Sequence, residues 1–123
     1  MPTATVNEAL LRWGNWIIQY DLGATALTTS FGSNSRHYRQ VVTILQNAGF
    51  THIQHSVFRH RRRCSLQYAI DVVGQIRQLP WARGTSPNEA PHIRSIRLSI
   101  QAMQYMDLTN YARGGRLPNI PVF

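Results

Sequence analysis

The chain has 123 residues, a length suited to one domain, with 43% hydrophobic and 15% charged residues and 13 basic groups against 5 acidic, a net charge of +8. A single cysteine excludes an internal disulfide framework and points to a reducing compartment. No apolar run is long enough for a membrane helix, and the first residues lack the basic-then-apolar pattern of a secretion signal. The expectation is a basic, cytoplasmic protein that does not span a membrane. All 13 basic residues are arginine, the better fork for phosphate and the better stacker on bases.

Residues 1–15 read as a lead-in, with a helical turn or two over 7–12. Residues 16–22 are short, apolar and aromatic, the pattern of a central strand, and Asp21 stands at its carboxyl end. The Gly, Ser, Thr and Asn content of residues 23–34 predicts a loop. Ser35 is placed to cap a helix in which Tyr38, Val41, Val42, Leu45 and Ala48 form an apolar stripe, and Gly49 follows as its terminator.

Residues 51–58 predict one strand, with Ile53, His55 and Val57 on one face. A basic corner follows at Arg59, Arg61, Arg62 and Arg63. Ser65 is the expected cap of a second helix burying Leu66, Ala69, Ile70, Val73 and Ile76, closed by Pro80. Residues 82–91 read as a loop, and 93–100 as a strand with Ile96, Leu98 and Ile100 inward. Residues 107–113 predict a short helix, and 114–123 a tail, either loose or laid on a partner.

The order β, α, β, α, β leaves room for one more short strand near 59–64 or 101–106. It predicts an α+β, ferredoxin-like domain over residues 16–113, of βαββαβ type with one degenerate strand. Its antiparallel sheet would carry two helices on one face. The opposite face would be bare, which favours a homodimer.

His52 and His55 would point to opposite faces of a strand, with no acid or cysteine to complete a metal set. Cys64 stands beside Arg61, Arg62 and Arg63, whose charges would lower its pKa, but nothing marks a partner base. No lysine exists for a phosphate-binding loop of the Walker kind. Asp71 is expected to pair with Arg77 on a solvated helix face, and Asp107 to cap the last helix. Asp21, at the end of an apolar strand, is expected to be rigid and partly desolvated. It would either orient water or hold a cation, or simply cap a turn. Arg36 and Arg39 oppose the dipole at the start of the first helix unless an anion joins them. With Arg59, Arg61, Arg62 and Arg63 they form either a backbone-tracking nucleic-acid surface or a solvated basic one.

Six segments in order carry a resemblance. They are Tyr20-Asp21-Leu22, Asn47-Ala48-Gly49-Phe50, Ile53-Gln54-His55-Ser56-Val57-Phe58, Leu79-Pro80-Trp81, Ile93-Arg94-Ser95-Ile96-Arg97-Leu98 and Asp107-Leu108-Thr109. From about residue 16 to 113 the chain resembles the virulence-associated protein D family, itself similar to the small CRISPR-associated dimeric nucleases of ferredoxin-like fold. The resemblance implies an endoribonuclease acting as a homodimer, a toxin of a toxin–antitoxin pair with a small antitoxin protein as partner. It makes Asp21 the key acid, and matches the family's Gln-Gly-Ser turn at Gln54 and Ser56, with Ser56 a hydrogen-bond donor near the scissile phosphate. His55 replaces the glycine of that turn, and Gly23 stands where the family often carries a second acid. A Mg2+ ion on Asp21 is therefore a weaker implication. From chemistry, Arg36 or Arg39 would stabilise charge and His55 or His37 would serve as acid. The rival expectation is a nucleic-acid-binding dimer of the same fold without catalysis.

Overall fold

The computed structural model describes residues 12–83, 91–100 and 105–118. The expected helical turn over 7–12 falls almost wholly outside the described residues, as do most of the 82–91 loop and the end of the tail. The elements are β1 (Trp13–Gly14), β2 (Trp16–Leu22), α1 (Ala24–Phe31), α2 (Ser35–Asn47), β3 (Phe50–Gln54), β4 (Val57–His60), β5 (Cys64–Ser65), α3 (Leu66–Arg77), β6 (Ile93–Ile100), β7 (Tyr105–Asp107) and α4 (Thr109–Ala112).

Five strands form one antiparallel sheet in the order β3-β4-β2-β6-β7. The split arrangement, with β4 between β2 and β3 and β2 between β4 and β6, is ferredoxin-like, and β7 extends it at one edge. β2 is central and pairs along its whole length with β6, Trp16 opposite Ile100 through Leu22 opposite Ile93. Its inward residues Trp16, Ile18, Tyr20 and Leu22 are buried, with Phe58, Ile96 and Leu98 of its neighbours. Each such side chain contributes roughly 1.5–3 kcal/mol by leaving water. α2 and α3 cover that face with Val41 and Leu45 from one, and Leu66, Ala69, Ile70, Val73 and Ile76 from the other. Both apolar stripes are those the sequence predicts.

The other sheet face is open. Register places Thr51 beside Arg59, Arg59 beside Ile17, Gln19 between Val57 and Arg97, and Asp21 beside Ser95. Only Ile17 and Val57 are apolar in that set, so the face is mostly polar.

Four expectations need correction. The 23–34 segment is not a loop: Ala24–Phe31 is helical, buries Leu27 and ends at Gly32. Its run of threonines and serine has modest helix propensity, but the packing of Leu27 outweighs it. Residues 51–58 are not one strand but a hairpin, β3 and β4, turning at His55 and Ser56, with Ser56 at φ 62°. Ile53, His55 and Val57 therefore do not line one strand face. Asn34 rather than Ser35 is the residue before α2, and neither caps it through a side chain. The fold also starts earlier than residue 16. Trp13–Gly14 pairs with β5, and the Leu66 amide donates to the Arg12 carbonyl at 2.8 Å.

Ser65 does cap α3, accepting from the Tyr68 amide. Gly49 ends α2 at φ 93°, a conformation that side chains disfavour. Among the described residues, no helix is long and apolar enough to cross a membrane.

Candidate active site

β2 carries its chain to one end of the sheet, and four elements meet there. Asp21 lies at the end of β2, and α1 begins three residues later, at Ala24. The first turn of α2 brings Tyr38, and β6 brings Arg94. Together with Gly23, Ala24, Thr25 and Pro91 these residues line a cleft of about 440 Å3. Arg94 Nε stands 3.7 Å from Asp21 Oδ2, and the two side chains are 66% and 54% exposed. Asp21 is therefore not desolvated as the sequence predicts. β2 turns it toward the open sheet face, and its buried neighbours Tyr20 and Leu22 point the other way.

The cleft has the groups for an anion beside a carboxylate. The first amides of a helix have no partner within it, and α1 has no acid in its first turn to occupy them. Those amides, the Arg94 guanidinium and the Tyr38 hydroxyl are all donors. Burial raises the Tyr38 pKa, the Asp21 carboxylate raises it further, and Arg94 opposes both. The phenol is thus a neutral donor at neutral pH.

Behind the cleft is Tyr20. Burial raises its pKa, and a hydrogen bond from the Ser56 side chain works against that. Its amide donates to the Ser56 carbonyl at 3.1 Å, which ties the β3–β4 turn to β2 one residue before Asp21. The Tyr20 and Tyr38 rings are 6.4 Å apart. The fold thus brings Ser56 and the exposed His55 to the same end of the sheet as Asp21. It is Ser56, not His55, that adopts the left-handed backbone, so the imidazole at residue 55 causes no strain there.

The arginines divide. Arg36 and Arg39 flank Tyr38 near the start of α2, at the Asp21 end. Arg36 lines a second cleft with His37 rather than the Asp21 cleft. His37 is buried there, and burial first, then the charges of Arg36 and His92, hold its pKa below the ordinary value. It does not join Asp21. β4 runs away from Asp21, so Arg61, Arg62 and Arg63 lie at the opposite end of the sheet. Arg59 is opposite Ile17 on the open face, nearer the Arg61 end, and lines a shallow cleft with Arg61. At about 3.3 Å per strand residue, Arg59 is roughly 13 Å from the Asp21 position.

Three smaller expectations change. Cys64 is buried, and burial pushes its thiol up to about 11 rather than down. Asp71 accepts from Gln67 at 2.7 Å, while Arg77 donates to the Tyr111 carbonyl at 2.9 Å. The residue before α4 is Leu108 rather than Asp107, although Asp107 Oδ1 accepts from the Thr109 amide at 2.9 Å; its bond to the Thr109 hydroxyl is the main cause of its lowered pKa.

A Mg2+ ion is not well matched by these residues. Among the described residues Asp21 is the one carboxylate that lines the cleft, and a side chain at residue 23 would put its Cβ 2.1 Å from the Pro91 carbonyl oxygen. Among the described residues no three His, Cys, Asp or Glu side chains cluster as a metal set.

Arg94 and Tyr38 are the two site residues that sequence reasoning missed. Simple alternation puts Arg94 on the inward face with Ile96, Leu98 and Ile100, and Tyr38 reads as part of a helix stripe; a register shift opposite Asp21 and Leu22 turns Arg94 outward. Only the β2–β6 register and the placement of α2 bring them to Asp21. No protein-family model matches the chain, and no curated protein matches its sequence.

Proposed function

We propose that the chain is an endoribonuclease that cuts RNA phosphodiester bonds in the Asp21 cleft, as its resemblance to the virulence-associated protein D family implies. The observation that carries this reading is the meeting of one exposed carboxylate with Arg94, the Tyr38 hydroxyl and the amino end of α1 in one open cleft. A phosphate seated on the donors would set the adjoining ribose against Asp21. The 2′-hydroxyl, or a water in its place, gives its proton to Asp21 as the new P–O bond forms. Arg94 and the α1 amides stabilise the charge that grows on the non-bridging oxygens. The leaving oxygen takes its proton from His55, or from water, since His55 stands exposed at the same end of the sheet. Ser56 acts through Tyr20, as a positioning residue. No step passes through a metal ion.

Arg36 and Arg39 would guide the strand into the cleft, and Arg59, Arg61, Arg62 and Arg63 would hold its continuation. The same proposal includes a homodimer, a toxic action on RNA in the cytoplasm, and neutralisation by a small antitoxin protein. Molecular mass in solution tests the first. Growth arrest on induction, lost with Asp21→Asn, tests the second.

The direct experiment incubates end-labelled RNA with pure wild type, Asp21→Asn and Arg94→Gln, each with and without a chelator. The expected result is chelator-resistant cleavage that falls by about 100-fold or more in both variants. Equal cleavage by wild type and Asp21→Asn overturns the assignment. RNA binding without cleavage by any of the three leaves the rival reading, a non-catalytic nucleic-acid-binding dimer. The lack of room for a second acid at Gly23 favours that rival.

A further inference from the structure

A second cleft, of about 410 Å3, lies at the other end of α1, between Phe31, Ser33, Arg36, His37, Gln40 and Trp81. Its walls are aromatic. The Phe31 ring lies 4.6 Å from the His37 ring, and His37 meets the Trp81 edge at 5.0 Å. Phe31 is 51% exposed, although it ends a helix whose Leu27 is fully buried.

One buried side-chain polar atom of this cluster has no partner. Trp81 Nε1 donates to Gln40 Oε1 at 2.7 Å. His92 uses both ring nitrogens, Nδ1 with the Trp81 carbonyl at 2.8 Å and Nε2 with the Ser30 hydroxyl at 3.1 Å. His37 is only 7% exposed, and its Nδ1 has no hydrogen-bond partner. A buried polar atom without a partner is costly, and in a native fold it calls for an explanation. Phe31 is the cover over that imidazole. Its ring also packs on His92 at 5.3 Å with half of its surface exposed, so a ligand reaches His37 Nδ1 only as Phe31 rotates outward.

We propose that this cleft seats one unpaired base of the RNA strand, stacked on Phe31 and hydrogen-bonded at its edge to His37 Nδ1. A flat ligand with polar edges fits an aromatic slot that holds one open polar atom. The adjoining charge fits the ligand's phosphate, since Arg36 lines the rim and Arg39 follows within a turn of α2. The spacing fits a strand as well. α1 separates the two clefts by about 10 Å, or two to three nucleotides at stacked spacing. This inference rests on the proposed RNA reading and adds to it the substrate class: a single strand with an accessible base near the cut, not a continuous duplex.

The test uses the full chain carrying Asp21→Asn, so that RNA is bound but not cut. A fluorescent single-stranded oligonucleotide is titrated by anisotropy, and AMP and ribose 5-phosphate serve as competitors. Phe31→Ala is expected to weaken strand binding by about tenfold or more, the usual scale of one lost base stack. Phe31→Trp is expected to restore it. His37→Gln, which keeps a polar edge, is expected to lose less than His37→Ala. AMP is expected to displace the strand, and ribose 5-phosphate, which lacks the base, is expected not to.

Strand binding unchanged in a folded Phe31→Ala protein overturns the proposal. So does AMP that binds in a Phe31-dependent way without displacing the strand, since the seat then belongs to free nucleotides. Phe31-dependent strand binding in a protein that never cleaves sustains the base seat and refutes the enzyme. Cleavage by the parent chain with no Phe31 dependence does the reverse.

Discussion

Gly23 joins the carboxylate-bearing strand to α1 at a point where the backbone presses against Pro91. Its amide donates to the His92 carbonyl at 2.7 Å, and a Cβ there would approach the Pro91 oxygen to 2.1 Å. The contact is with backbone and cannot be relieved by a rotamer. Gly23→Ala is therefore expected to cost about 1–3 kcal/mol, as overpacking does, and to disturb the Asp21 cleft. Thermal denaturation and RNA cleavage measure the two effects, and an unchanged melting temperature would refute the first. Cys64 gives a pH dependence. Burial raises its pKa from an ordinary value near 9 to about 11, so the fold favours the neutral thiol. That contribution is whole below about pH 9 and is lost as pH rises through about 11. Urea unfolding of wild type is expected to weaken over this window. Tyr20 and Tyr38, both raised as well, act in the same direction, so the part that Cys64→Ala removes isolates the thiol. Equal pH slopes in the two proteins would refute the assignment. Asp21 was legible as an acid ending an apolar strand. Its exposure was not, because residues 16–22 read as a continuous apolar run, whereas in the fold they alternate and put Asp21 on the open face.

At the scale of elements, legibility followed hydrophobic period. α2, α3 and β6 bury the stripes that their spacing predicts, since a helix or strand with one apolar face has one way to hide it. α1 has one buried residue, Leu27, and so gives no period to read. The β3–β4 hairpin escaped because its turn is His55-Ser56, without the Gly, Asn or Pro that marks most tight turns. Arg94 and Tyr38 reach Asp21 through register and helix placement, neither of which one sequence encodes locally. Ser65 is a case in which a local rule sufficed. Its hydroxyl accepts from the Tyr68 amide at 3.1 Å, so Ser65→Ala is expected to cost about 1 kcal/mol, a drop in melting temperature of roughly 4 °C. Circular dichroism on heating measures it, and Ser65→Asp is expected to recover most of the loss.

At the scale of the molecule, six of the 13 arginines are divided between the two ends of the sheet. Arg36, Arg39 and Arg94 stand at the Asp21 end. Arg61, Arg62 and Arg63 are exposed at the other, where Arg63 donates to the Trp13 carbonyl and the Arg61 amide to the Gly49 carbonyl. Arg59 and Arg97 lie between them on a face that is otherwise mostly polar. A strand long enough to cross that face would touch both poles, whereas a short one would reach only the first. Replacing Arg61, Arg62 and Arg63 together by Gln removes up to three phosphate contacts. At about 0.7 per contact for a single strand, the slope of log affinity against log salt is expected to fall in magnitude by about 2. The change is expected for a long oligonucleotide and not for a trinucleotide, and cleavage at saturating RNA is expected to stay as in wild type. An unchanged slope with the long strand would mean that the far pole carries no RNA, and that its arginines serve solubility alone.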